Sequence, residues 1–272
     1  MANELKYKLL VSDMDGTFLD SNNQVGELTH KAITDYIDAG GHFAFCSGRE
    51  VESLIWQAKE MKLPQDKITF MGLNGCVIVQ NGKVIRHCDL PKKEALDITE
   101  YLNTLGVYYQ IYDQDGMFVK EVNDICRWYC ATTHCSANEV GDLHAYAKAH
   151  DLNLVKILIA ASENDINVMS GYLPQKFSGV QWFKSCPIFY EAAAHDGGKG
   201  NALKFLADRC GVDIVSTAAV GDSQNDLSMI IAAGTGVAVK NAEEEIKKAA
   251  DLVLEYSNDQ DAVGRFIRSF LK

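Results

Sequence analysis

The sequence predicts a doubly wound α/β domain with a mostly parallel sheet, into which a separate α+β domain is inserted. Three observations lead there: strands alternate with helices near the N-terminus, the same alternation returns near the C-terminus, and hairpin turns replace it between them. The 272 residues also bring the chain to the length, about 250 to 300 residues, at which a single core stops growing. Only four prolines occur and no Gly/Ser-rich linker separates the halves, so the second domain reads as an insertion. The expected division is 1–83 and 189–272 for the α/β core and 84–188 for the inserted domain.

Tyr7 to Val11 is an apolar run ending in Ser12-Asp13-Met14-Asp15-Gly16-Thr17, a buried strand followed by a polar loop. Ala32, Ile33, Tyr36 and Ile37 recur at helical spacing over Thr29 to Ala39, and Gly40-Gly41 supplies the stop. His42 to Cys46 is a second buried strand, broken by Ser47-Gly48-Arg49 ahead of a helix with Val51, Leu54, Ile55 and Ala58 on one face. In the C-terminal part, Gly197-Gly198-Lys199-Gly200 opens a helix and Thr217 to Val220 reads as a strand. That strand stops at Gly221-Asp222-Ser223-Gln224-Asn225-Asp226, before a helix that ends at Gly234. Gly236 to Val239, Ala242 to Ala249 and Leu252 to Leu254 continue as strand, helix and strand, and the last helix buries Ala262, Val263, Phe266, Ile267 and Phe270.

Between these parts, Asn81-Gly82 and Asp115-Gly116 are hairpin signals. The middle holds a helix over Lys92 to Leu105 and strands over Val107 to Tyr112, Leu154 to Ala160 and Val180 to Lys184. Helical segments are expected near Glu139 to Lys148 and Asp165 to Leu173.

Composition narrows the function. A hydrophobic share of 47% with 23% charged residues suits a globular protein. The formal charge of −11 has the wrong sign for neutralising nucleic-acid phosphates, so no nucleic-acid partner is expected. No apolar run approaches the roughly 18 residues that span a bilayer, and the first ten residues, which include Glu4, hold no cleavable apolar run. The expectation is therefore a cytoplasmic protein with no membrane partner, its eight irregularly spaced cysteines reduced. A monomer or weak homo-oligomer is expected.

The chemistry concentrates at strand ends. Asp13 and Asp15 are two apart, so in an extended backbone both carboxylates leave the same side of the chain, where open α/β sheets bind ligands. Two such charges need a cation or a shared proton, and an all-oxygen site suits magnesium paired with a substrate phosphate. The competing reading is an Asp-rich turn or cap. Ser47-Gly48, between strand and helix, suits a phosphate, yet Ser47-x-x-Glu50 is also a capping box that needs no ligand. Lys199 is a cation at a helix start, where the dipole disfavours it, which points to a nearby anion. Asp222, Asn225 and Asp226 again follow a strand, and ordinary N-terminal capping explains them equally well one at a time. Their joint occurrence in one domain favours a site for a metal and a phosphate.

The set Asp13-Met14-Asp15-Gly16-Thr17, Ser47-Gly48-Arg49, Lys199-Gly200-x-Ala202-Leu203 and Gly221-Asp222-x-x-Asn225-Asp226 resembles the motifs of the haloacid dehalogenase superfamily. Its Cof-type phosphatases, with a large α+β cap, are the most similar branch. The resemblance spans nearly the whole chain, including Asn74-Gly75 before the cap and Ser257-Asn258-Asp259 before the last helix. It implies a Rossmann-like core and a phosphatase acting on a small phosphorylated metabolite, sugar phosphates first and phosphorylated cofactors such as flavin or pyridoxal phosphates next. Asp13 would be the nucleophile and Asp15 the proton donor and later the base. Mg2+ would sit on Asp13, the Asp15 carbonyl and Asp222. Ser47, Gly48, Lys199, Asn225 and the N–H of Met14 would hold the phosphoryl oxygens, with Thr17 and Asp226 supporting the metal site. A phosphomutase of the same fold and a phospho-accepting signalling receiver are the rivals; the long cap and the acid at Asp15 argue against the receiver.

Two departures from the family pattern stand out: Glu50, where relatives commonly have proline and which would complete the helix cap, and Met14 in place of leucine. Cys126, Cys130, His134 and Cys135 fit no common zinc spacing, and the first two equally read as one apolar helix face. Cys46 belongs to a buried strand, and His195 reads as a loop histidine. Tyr108, Tyr109, Tyr112, Phe118, Trp128 and Tyr129 are expected to pack the cap, with part of the set available to a substrate.

Overall fold

Near-continuous apolar runs make strands that are buried on both faces. The structure, a computed structural model, describes residues 5–271. It begins with β1 (Leu9–Ser12), α1 (Glu27–Asp38), β2 (His42–Cys46), α2 (Val51–Glu60) and β3 (Ile68–Gly72), followed by β4 (Val77–Gln80) and β5 (Lys83–His87). The first strand thus lies slightly later than Tyr7 to Val11. Asn81 and Gly82 join β4 to β5 with φ of 52° and 69°, the pair of positive values that a two-residue type I′ hairpin requires.

The chain then forms α3 (Lys92–Leu105), β6 (Tyr108–Tyr112), β7 (Met117–Val119), α4 (Asp124–Thr133), β8 (Ala137–Glu139), α5 (Leu143–Ala149), β9 (Lys156–Ala160), α6 (Glu163–Ser170), α7 (Leu173–Lys176), β10 (Gln181–Cys186) and β11 (Phe189–Ala193). Two expected helices are corrected here. Glu139 lies in β8, because Gly141 takes φ of 76° and Asp142 caps α5 by accepting from the Ala145 N–H at 2.9 Å. The helix expected over Asp165 to Leu173 is divided into α6, capped by Ser162, and α7, with Pro174 in its first turn.

After the insertion come α8 (Lys199–Arg209), β12 (Thr217–Gly221), α9 (Leu227–Ala232), β13 (Thr235–Ala238), α10 (Glu244–Ala249), β14 (Leu252–Val253) and α11 (Ala262–Phe270). Two units result, one reaching Ile85 and resuming at Gly198, the other Arg86–Gly197. The expected boundary at 188/189 would cut the hairpin of β10 and β11. Instead β11 pairs antiparallel with both β9 and β10, which keeps Phe189–Ala193 in the inserted unit.

In the first unit the sheet order is β14-β13-β12-β1-β2-β3-β4-β5, parallel from β14 to β3, with β4 antiparallel to β3. Alternation along β1 explains its apolar run. Leu10 packs with Ile33, Tyr36, Phe43 and Ile267, while Leu9 and Val11 pack with Ala202, Leu203 and Leu206 of α8. On the first of these faces Phe45 meets Phe18 and Phe43 edge-on at centroid distances of 4.8 and 4.9 Å, contacts that add about 1 kcal/mol each beyond burial. The inserted unit has its own sheet, ordered β10-β11-β9-β6-β7-β8. Tyr109, Ile111, Ile157 and Ile159 on one face of it pack with Ile98 and Leu102 of α3.

Candidate active site

Three neighbouring strands of the first unit deliver the polar segments. β12, β1 and β2 lie side by side and parallel, with Ser12 opposite both Val220 and Phe45, so Asp13, Asp222 and Ser47 all emerge at carboxyl ends. The Asp13 N–H still donates to the Val220 carbonyl at 2.9 Å, fixing the loop to β12. Past Asp13 the chain does not stay extended: it turns, and Gly16 has φ of 75°. A Cβ at Gly16 would lie 2.6 Å from Asp222 Oδ2, so glycine there admits the close approach of the two loops. The two carboxylates end in different surroundings. Asp13 is 4% exposed, whereas the Asp15 side chain is 47% exposed.

Asp13 meets Lys199. The Lys199 ammonium, fully buried at the first position of α8, donates to Asp13 Oδ1 at 2.5 Å and to Asp226 Oδ1 at 2.6 Å. This is the anion that a lysine at a helix start called for. Burial alone pulls the ammonium's pKa down, but the two carboxylates outweigh it and hold it above its usual range. Burial, and next the charge of Asp226, push the Asp13 carboxyl well above the ordinary carboxylate range against the pull of Lys199.

Asp226 accepts on both of its oxygens. Its Oδ1 takes Lys199, and its Oδ2 accepts from the N–H groups of Asp222 at 2.9 Å and Ser223 at 3.1 Å. Asp226 also closes a capping box with Ser223, so the expected capping at this helix start is present alongside the contact with Lys199. Asp222 receives Thr17 Oγ1 on Oδ1 at 2.8 Å, and burial raises its carboxyl to about 6. Oxygens of Asp13, Asp222 and Asp226 lie within 4.8 Å of one another, the one such cluster among the described residues. Asp226 accepts three hydrogen bonds from the protein, more than either Asp13 or Asp222 is shown to accept on its side chain.

A second line of contacts runs from Ser47 to Asn225. Ser47 is buried, and its carbonyl accepts from the Asn74 N–H at 2.8 Å. A Cβ at Gly48 would lie 3.4 Å from Asn74 Oδ1, and that oxygen accepts from Asn225 Nδ2 at 3.3 Å. Asn74 itself has φ of 56°, a conformation asparagine tolerates better than most residues. The expected capping box of Ser47 and Glu50 is absent: α2 starts only at Val51, Glu50 is its N-cap with no side-chain capping hydrogen bond, and the Ser47 hydroxyl instead accepts from the Arg49 N–H at 3.2 Å. Met14 is fully buried.

Sequence reasoning missed the parts played by Asn74 and Arg49. The left-handed Asn74-Gly75 pair was the only available signal for the first. Arg49 forks onto Asp15, a contact between residues distant in sequence. Outside the cluster, His195 contacts the Ser178 carbonyl at 3.1 Å within the inserted unit. Cys46 is buried in β2. Cys126 and Cys130 lie one turn apart on α4 with their sulfurs 4.0 Å apart, the helix-face arrangement. Tyr109, Tyr112 and Tyr129 are buried, Tyr108 and Phe118 are partly covered, and Trp128 remains 53% exposed while packing on Phe189.

Residues 10–267 match the family described as haloacid dehalogenase-like hydrolase, and the chain belongs to that family. Phosphatase YwpJ of Bacillus subtilis (strain 168) is 27% identical over 97% of this chain and 100% of its own length. The 5-amino-6-(5-phospho-D-ribitylamino)uracil phosphatase YitU of the same bacterium is also 27% identical, with 98% of each chain covered. The crystal structure of TM0651 from Thermotoga maritima superposes with a TM-score of 0.87 at 26% identity, covering 97% of each chain. The chain is a phosphatase of this family, acting on phosphorylated substrates. No helix among the described residues is long and apolar enough to cross a membrane.

Proposed function

We propose that this phosphatase hydrolyses small phosphorylated metabolites through an aspartyl phosphate on Asp13, with magnesium as its cofactor and the inserted unit selecting the substrate. One observation carries the reading: Asp13 is buried at the end of the central strand, held by Lys199 at 2.5 Å, in a cluster whose negative charge exceeds its positive charge. The donor set is all oxygen, which fits a hard cation. Asp13, Asp222 and the backbone carbonyl of Asp15 would hold magnesium. When bound, it neutralises the carboxylates and phosphate and polarises a phosphoryl oxygen.

The chain's own residues account for the rest. An Asp13 carboxylate oxygen attacks phosphorus, the bond to the ester oxygen breaks, and Asp15 protonates that oxygen as it leaves. Asp15 then takes a proton from water, whose oxygen attacks the phosphorus of the aspartyl phosphate, and Asp13 is released. Ser47, Lys199, Asn225 and the N–H groups of Met14 and Gly48 hold the phosphoryl oxygens, the positioning that phosphoryl transfer chiefly needs. Splitting one difficult displacement into two is the gain from a covalent intermediate. Sugar and polyol phosphates are the favoured class, supported by a relative named for a substrate with its phosphate on a ribityl chain.

A panel of sugar, flavin and pyridoxal phosphates, assayed for inorganic phosphate over many turnovers with and without magnesium, tests this reading. Catalytic phosphate release that stops on chelation and returns with magnesium is expected. Undiminished turnover after exhaustive chelation would remove the metal from the proposal. Isomerised esters without net phosphate release would replace hydrolysis by a mutase reaction.

A further inference from the structure

Arg49 sits between the Ser47-Gly48 loop and α2 and has no part in the phosphate site outlined above. Its guanidinium meets the Asp15 carboxylate edge to edge: Nε donates to Oδ2 at 2.8 Å and Nη2 to Oδ1 at 2.6 Å. Nη1 reaches Ser53 Oγ, one turn into α2, at 3.5 Å. The backbone of Arg49 is fixed as well, since its N–H donates to Ser47 Oγ at 3.2 Å and its carbonyl accepts from the Leu73 N–H at 2.8 Å. Exposure makes the pair asymmetric, with the arginine side chain 12% exposed and that of Asp15 47% exposed.

A carboxylate on an open turn has several rotamers to choose from, and a group that passes a proton twice per cycle needs one of them. The planar guanidinium supplies that selection, because only one orientation of a carboxylate accepts two parallel N–H bonds from it. With this edge committed to Asp15, the arginine is directed at the proton shuttle and not at the phosphate.

We propose that Arg49 is a positioning residue that fixes the Asp15 carboxylate for both proton transfers. The proposal rests on the reading of Asp15 as the proton shuttle. It separates this arginine from Lys199, which faces the nucleophile, although both are cations of one site.

The test compares Arg49→Gln, Asp15→Asn and the double variant on an alkyl phosphate such as a sugar phosphate and on an aryl phosphate with a good leaving group. Both kcat and KM are measured, together with the pre-steady-state burst of aryl alcohol. Arg49→Gln should lower kcat on the alkyl ester by about 10- to 100-fold, the scale of a misplaced catalytic group, and leave KM within about threefold. The burst on the aryl ester, which needs little proton donation, should slow far less. Placed on Asp15→Asn, the second change should alter kcat by less than about threefold, because residues that act through one another are not additive. A KM raised alike for both esters, or an Arg49→Gln effect that adds in full to Asp15→Asn, would overturn the proposal and make the arginine a phosphate ligand or a structural residue. An Asp15→Asn protein that hydrolyses the alkyl ester at the wild-type rate would overturn the shuttle reading itself, and the proposal with it.

Discussion

Each unit of the chain buries a lysine against carboxylate, and the two arrangements differ in ways that separate chemistry from packing. Lys199 makes hydrogen bonds of 2.5 and 2.6 Å to two carboxylates, with Asp222 beside them, so negative charge is in excess. Lys156 in the inserted unit faces one carboxylate, Glu191, at 3.4 Å, and its ammonium lies 4.2 Å from the centre of the Tyr112 ring. Glu191 Oε2 accepts no hydrogen bond, so the contact is an ion pair without hydrogen-bond geometry. The first group sits at strand ends, where loops converge. The second lies within a sheet, on diagonal positions of β9 and β11, since Lys156 pairs with Ala193 and Leu158 with Glu191. A balanced pair inside a sheet needs nothing further. An unbalanced cluster at the carboxyl edge of a parallel sheet calls for a cation.

Breaking the first group should have the largest consequences. Asp13→Asn removes the oxygen proposed to attack phosphorus, so phosphate release should fall below detection while the fold survives, because the neutral amide carries no charge to desolvate at this buried position. Lys199→Met acts differently. It leaves Asp13 and Asp226 buried without their cation, a change that typically destabilises by about 3 to 5 kcal/mol, and turnover should be lost as well. Urea unfolding and phosphate release measured on both variants check this. A Lys199→Met protein as stable and as active as the wild type would mean that the cluster is held by something other than its lysine.

A smaller effect sharpens the contrast through pH. The Asp222 carboxyl is raised to about 6, chiefly by burial and against the Thr17 hydrogen bond. Between the unperturbed value, about 4, and about 6, the folded protein therefore keeps a proton that the unfolded chain has lost. Folding is favoured at the low end of that window and loses this contribution as pH rises through it, by about 3 kcal/mol in total at 1.4 kcal/mol per unit. In chelated protein, urea midpoints for the wild type should fall from pH 4 to pH 6.5 more steeply than those of Asp222→Asn. Magnesium added above pH 7 should restore stability to the wild type and do little for the variant. Parallel profiles for the two proteins would show that Asp222 does not carry the excess charge.

These contrasts also mark what the chain's pattern made readable. Strand ends followed by Asp13, Ser47 and Asp222 could be placed in advance because parallel strands have a strict apolar signature and stop where polar residues begin. Lys199 pointed to an anion because the helix dipole makes its position costly. Less was readable where geometry depends on turns. The residues from Asp15 to Phe18 leave the strand conformation, so the spacing of Asp13 and Asp15 said nothing reliable about where the second carboxylate points. Glu50 matched a capping pattern, yet the helix begins one residue after it and the pattern has no helix turn to cap. In the inserted unit, β11 escaped notice because Phe189–Ala193 mixes aromatic, acidic and alanine residues, and one of the two strands that flank it, β9, lies about thirty residues earlier in the chain.

The smallest predicted effect tests whether the inserted pair is mere compensation. Removing Lys156 alone, as Lys156→Met, strands the Glu191 carboxylate at 5% exposure with an oxygen that already accepts no hydrogen bond, so this single change should be clearly destabilising. Replacing both residues, as Lys156→Met with Glu191→Met, removes two desolvated charges together. Because the attraction across 3.4 Å is set against the cost of desolvating both groups, the double variant should lie within about 1 kcal/mol of the wild type or be more stable, as happens when buried ion pairs give way to apolar side chains. A urea series on the two variants and the wild type reads this directly. If the double variant is as unstable as the single one, Lys156 and Glu191 are fixed by partners other than each other, and the likeness between the two buried lysines runs deeper than charge balance suggests.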